Sequence, residues 1–143
     1  MPARITRSRQ RALQLLFLWD ARRQPLEDVF DAYFGSLYAE QHPEHDAFAE
    51  SLVRGAVEHV SALDERIAKH ADNWRMERMP AVDRNILRLG VYEMSYAGTP
   101  AAVVIDEALE LAHKFSGEES AKFVNGVLDA IHRETISAAA PPQ

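Results

Sequence analysis

Apolar residues recur along this chain at spacings of three and four, the period of an α-helix, and no pair of alternating segments reads as strands. From Arg7 to Arg22 the positions Ala12, Leu13, Leu16, Phe17 and Trp19 gather on one broad side, with Arg7, Arg11, Gln14 and Arg22 opposite. Leu18 falls among the basic positions, where a partner could reach it. A second helix is expected after Pro25, whose missing N–H is harmless in a first turn, with Glu27 and Asp28 facing the positive end of the dipole. Its apolar positions run Leu26, Val29, Phe30, Tyr33, Phe34, Leu37 and Tyr38, and Gln41 to Glu44 interrupts it.

A third helix carries Phe48, Leu52, Val53, Ala56 and Val60, with Gly55 placed for a close helix contact. Ser61, three residues before Asp64, reads as an N-cap that starts a shorter helix with Leu63 and Ile67 inward. The connector from Asn73 to Pro80 is expected to be packed down by Trp74 and Met76. Ala81 to Tyr96 forms the next helix, with Gly90 at a crossing point. Thr99 then caps a helix that buries Ile105, Ala108, Leu109, Ala112 and Phe115, and Gly117 ends it. The last helix, from about Glu118 to Glu134, buries Val124, Val127, Leu128 and Ile131. The expectation is therefore an all-α, seven-helix protein of two packed bundles, an N-terminal subdomain over about 5–75 and a C-terminal one over about 80–134. A disordered tail is expected over about 136–143.

A chain of 143 residues with 47% hydrophobic and 27% charged residues can bury one good core. The absence of cysteine removes disulfide and thiol chemistry, and with no signal segment or long apolar run the expected location is the cytoplasm, without a membrane. The net charge of −6 is unevenly spread. Up to Arg23 there are six arginines against one acid, Asp20, so the remainder is strongly acidic. Cations in a first helical turn oppose the dipole at roughly 0.3 to 1 kcal/mol each. Two readings stay open here. The run is a solvated basic arm, or a phosphate-rich partner offsets the cost, with Thr6, Ser8 and Gln10 adding neutral hydrogen bonds. His70, Trp74 and Phe123 are candidate planar groups for stacking on bases, the two last also being candidate core residues.

No phosphate loop, dinucleotide fingerprint or nucleophile elbow is present. His42, His45, His59, His70, His113 and His132 lack ligand-like spacing, so no metal and no cofactor are expected, and the weight moves from catalysis to binding.

Arg11 to Trp19, Val82 to Met94, Val104 to Ala112 and above all Lys122-Phe123-Val124-Asn125-Gly126-Val127-Leu128-Asp129 resemble the NusB family of bacterial transcription antitermination factors, from Arg7 to Ile131. The resemblance implies seven helices in two bundles and no enzymatic activity. It implies boxA RNA as ligand and NusE, a small-subunit ribosomal protein, as partner. Further implied partners are the other Nus factors and RNA polymerase, and a possible homodimer. On this resemblance the RNA-contacting residues are Arg7 and Arg9, with Arg4 and Arg11 beside them, and His70, Glu119 and Phe123. Phe17 and Asp83 fall on the surface offered to NusE, with Leu18 nearby; Asn125 and Gly126 are expected to brace helices. Two alternatives remain: an RNA-binding domain like those attached to ribosomal RNA cytosine methyltransferases, here without the methyl-donor domain, and a helical protein adaptor or homodimer whose arginines are incidental.

Overall fold

The computed structural model describes residues 3–35, 46–72 and 74–139, with side chains over 6–136 of these. Among them the chain forms seven α-helices: α1 (Ala3–Arg22), α2 (Leu26–Phe34), α3 (Ala47–Glu58), α4 (Val60–His70), α5 (Ala81–Ser95), α6 (Ala101–Phe115) and α7 (Glu118–Ala139). A single 3-10 turn, Met76–Arg78, leads into α5. The all-α class and the seven helices match the expectation.

Helix α5 is the hub, packed against α1, α3, α4, α6 and α7. Surrounded in this way it buries Ile86, Leu87, Leu89 and Val91, and its polar residues Asp83, Asn85, Arg88 and Glu93 go into the interior with them. Charges out of water persist only when they are paired and hydrogen-bonded. Arg88 reaches Asp64 of α4 with two bonds of 2.8 Å and lies 3.1 Å from Asp20 of α1. Arg84 donates to the same Asp20 at 2.6 and 2.9 Å, and Asn85 adds a bond at 3.2 Å. Burial would push the Asp20 carboxyl up. The donated bonds and charges of Arg84 and Arg88 outweigh it and hold the pKa at about 2, against an ordinary 3.8.

Two glycines are dictated by close approach. A Cβ on Gly55 would stand 2.0 Å from the Tyr92 ring, and one on Gly90 would stand 3.1 Å from Leu128, so α3 and α7 meet α5 at the positions the sequence marked. Gly126 has open space around it and Asn125 is exposed, so neither braces a helix contact.

Several boundaries move. Helix α2 ends at Phe34, where the Gly35 N–H returns to Asp31 O at 2.8 Å; Leu37, Tyr38 and Gln41 to Glu44 lie outside the described residues. The break between α3 and α4 falls at His59, two residues before Ser61. Thr99 does not cap α6. Its backbone N–H and hydroxyl both turn back to Glu93, helped by the positive φ of 74° at Gly98. Trp74 stays 46% exposed and leaves the connector to half-buried Met76 and buried Met79. Helix α7 continues to Ala139, past the expected end near Glu134; residues 140–143 lie outside those described. Buried apolar residues from both halves of the chain form one core cluster.

The same substitution is expected to act with opposite sign at two glycines. Gly126→Ala removes backbone freedom in open space and stabilises by about 0.5 to 1 kcal/mol. Gly55→Ala drives a methyl into the Tyr92 ring and costs about 1 kcal/mol net. Urea unfolding of both variants checks the pair. The depressed Asp20 carboxyl contributes about 2 kcal/mol at neutral pH, fully present above its unfolded value near 3.8 and lost as pH falls towards about 2. Asp20→Asn is therefore less stable at pH 7, and its deficit shrinks between pH 4 and pH 2; a gap independent of pH contradicts this.

Candidate nucleic-acid interface

The arginines at the start of α1 have three different fates. Arg9 is 4% exposed, with Nε and Nη2 on the two oxygens of Glu93 at 3.0 and 2.8 Å and Nη1 3.7 Å from Glu107. Burial lowers its pKa, and the bonds and charges of Glu93 and Glu107 more than reverse that, raising it above the ordinary value. The expectation that Arg9 faces phosphate is corrected: its guanidinium is inside, clamping α1 to α5. Arg11 is half-buried and donates to Asp46 at 2.7 Å. Arg7 is exposed and has no ion pair or hydrogen bond among the described residues. The side chain of Arg4 lies outside the described residues.

The neutral groups of this segment are also engaged. Thr6 donates to Glu107 at 3.2 Å, Ser8 to Asp46 at 2.7 Å, and Gln10 accepts from Lys114 at 3.0 Å. Asp46 is the N-cap of α3, taking the Ala49 N–H at 3.0 Å as well. Burial pushes its carboxyl up, while the bonds from Ala49, Ser8 and Arg11 pull it below the usual range. Part of the charge of the basic turn is thus offset by three carboxylates of the acidic body, Asp46, Glu93 and Glu107. Sequence reading missed these partners, since they lie 35 to 101 residues from their contacts. Among the described residues the outward charge that remains here belongs to Arg7, with Lys114 beside Gln10.

The other candidates are not gathered at this turn. Glu119 is exposed and 3.7 Å from Lys122, and half-buried Phe123 packs on the core one turn further along α7. His70 closes α4 and its ring nitrogen meets the Glu134 carboxylate, eleven residues beyond Phe123 and about 16 Å along the helix axis. The hydrogen bond from His70, with Lys69 and Arg66 near, holds Glu134 below the ordinary carboxylate range.

On another side of α1, Phe17 is 41% exposed, contrary to its expected place on the packed face; Leu15 takes that place and is fully buried. Phe17 and Leu18 line an open apolar groove of about 500 Å³ with Leu13, Tyr33, Val82 and Phe115. Asp83 is not available on this surface. It is 6% exposed and accepts a hydrogen bond from Ser120, tying α5 to α7. Among the described residues no group of three or more metal-ligating side chains is assembled, and no helix is long and apolar enough to cross a membrane.

Comparison with known proteins places this arrangement. The NusB family profile matches residues 6–133. The chain is 65% identical to the transcription antitermination protein NusB of Solibacter usitatus over 95% of this chain and 93% of that protein. It is 44% identical to that of Anaeromyxobacter dehalogenans over 92% of each. Among solved structures, one of antitermination factors NusB and NusE in complex with double-stranded RNA superposes with a TM-score of 0.81 at 30% identity, covering 94% of this chain and 99% of the matched one. NusB of T. maritima superposes with a TM-score of 0.72 at 34% identity, covering 94% and 92%. With its helices, groove and arginine-led first helix arranged in this way, the chain belongs to the NusB family, non-catalytic RNA-binding regulators of transcription antitermination.

Proposed function

We propose that this protein binds boxA RNA together with NusE and, with the other Nus factors on RNA polymerase, keeps transcription of ribosomal RNA operons processive in the cytoplasm. The observation that carries the reading is the division of labour on α1. One guanidinium, Arg9, is spent on the core, Arg7 stays outside without a partner among the described residues, and Phe17 and Leu18 open onto an apolar groove elsewhere on the helix. Phosphate is recognised by arginines of this kind, and an exposed aromatic on an apolar groove is the usual anchor of a protein interface. Arg4, Glu119, Phe123 and His70 extend the RNA surface in this reading, and Phe17 and Leu18 serve NusE. The family resemblance and the solved complex of a related NusB with NusE and RNA support the assignment.

The internal pairing of Arg9 and Arg11 favours one competing account, in which the protein is a helical adaptor or a homodimer without specific RNA binding. Affinity for boxA and scrambled RNA, each with and without NusE, at two salt concentrations separates the two. Preference for boxA that survives added salt and grows with NusE supports antitermination. Equal, fully screened binding to both RNAs supports the adaptor.

Arg7→Ala is expected to lower RNA affinity and reduce the salt slope by about one, with an unchanged Tm. Arg9→Ala behaves differently. It strands Glu93 in the interior and costs about 3 to 5 kcal/mol of stability, so thermal melting distinguishes the two arginines. Phe17→Asp should weaken NusE association by about 2 kcal/mol and leave Tm unchanged; native affinity by calorimetry would remove Phe17 from that interface.

A further inference from the structure

Three rings lie nearly parallel at the junction of α3, α4 and α5. His59 stacks on Tyr96 with centroids 4.0 Å apart and planes within 12°, and Tyr92 stacks beside them at 5.7 Å from Tyr96. Tyr96 is the outermost of the three, 48% exposed, and His59 and Tyr92 hold its plane in place. Such a ring has already lost the freedom that a loose surface tyrosine would lose on binding.

An arginine of α4 is bonded to the residue that precedes Tyr96. Arg66 donates from Nη1 to Ser95 at 2.5 Å and from Nη2 to Thr135 at 2.9 Å, two hydroxyls on two other helices. Arg9, Arg11, Arg54, Arg84 and Arg88 each meet a carboxylate. Arg66 has none within ion-pair reach among the described residues; two hydroxyls fix its guanidinium, and the Glu134 carboxylate acts on it from farther away. Ser95 is adjacent to Tyr96 in the chain, so the oriented cation is bonded to the residue that precedes the oriented ring. Lys69 lies on the same helix and, with Arg66, acts on Glu134.

The ring stack lies at the end of α5 that meets the start of the first helix. Glu93, which holds Arg9, precedes Tyr96 by three residues, so the start of α1 and the ring stack belong to the same end of α5. Arg66 precedes His70 by four residues, one turn of α4.

We infer that Tyr96 and Arg66 form a base-and-phosphate station for single-stranded RNA, Tyr96 stacking on a base and Arg66 donating to an adjacent phosphate, on a track from α1 to His70. The inference rests on the RNA-binding reading above and adds residues to it. A ring and a cation of this kind accept any base, so the occupant is RNA flanking the specifically read element.

The test compares a boxA oligonucleotide with the same oligonucleotide carrying about ten uridines at its 5′ or 3′ end, measured by fluorescence anisotropy with the full chain and NusE. The extended RNA at one end should bind the native protein more tightly. Tyr96→Ala and Arg66→Gln should each remove about tenfold of that affinity, while Tyr96→Phe retains it and binding of the short RNA is untouched. If Tyr96→Ala lowers Tm, Arg66→Gln carries the test, with a salt slope reduced by about one. Native affinity of both variants for every RNA, beside a weakened Arg7→Ala, overturns the station and leaves the proposed function standing. Absence of RNA binding by the native protein overturns both. Loss of NusE affinity without loss of RNA affinity overturns the assignment to RNA.

Discussion

A guanidinium of α1 and a carboxylate of α5 meet out of water, and the placement of every outward group on α1 follows from that contact. Arg9 on Glu93 fixes the rotation of the helix near its start, and Asp20 between Arg84 and Arg88 fixes it near its end. A helix held at two points by hydrogen-bonded charges cannot roll on a greasy surface as one held by leucines alone can. Removal of one partner would leave the other charged and dry, which is costly, whereas the intact pair adds orientation more than stability. Specificity of placement is what the proposed function asks of this helix, which holds Arg7 and Phe17 outward on different sides.

The helices and their inward faces were legible because periodicity and Gly/Pro punctuation are local signals. Gly55 and Gly90 were legible for the same reason: a small residue within an apolar stripe marks a crossing. What escaped was tertiary. Nothing near Asp83, Arg88 or Glu93 in the chain announces burial, and a helix buried on every side takes its charged residues in with it. Arg9 looked identical to Arg7, and only partners far along the chain tell them apart. The site was therefore visible as a region and as residue types, but the division into structural and outward-facing arginines was not. Asn125 and Gly126 misled in the opposite sense, since a glycine within a helix motif reads as a packing residue and here faces open space.

Charge balance explains how an acidic body supports a basic end. The carboxylates that neutralise the interior arginines come from α3, α5 and α6, and each ties a different helix to α1. Ion pairing thus sets how these helices are oriented against one another. The NusB family fold in this chain is accordingly a scaffold in which the contacts that organise the core also decide which cations remain outside it.

Asp46 divides its two oxygens between separate duties. Oδ1 terminates α3 through the Ala49 N–H, and Oδ2 receives Ser8 and Arg11. The cap on Oδ1 and the side-chain bonds on Oδ2 are therefore separable, so a change at Arg11 need not unwind the first turn of α3. Arg9 has no such latitude, being gripped through two nitrogens in the interior. Neighbouring arginines of one helix are in this way seated at two depths, one bolted inside and one at the rim.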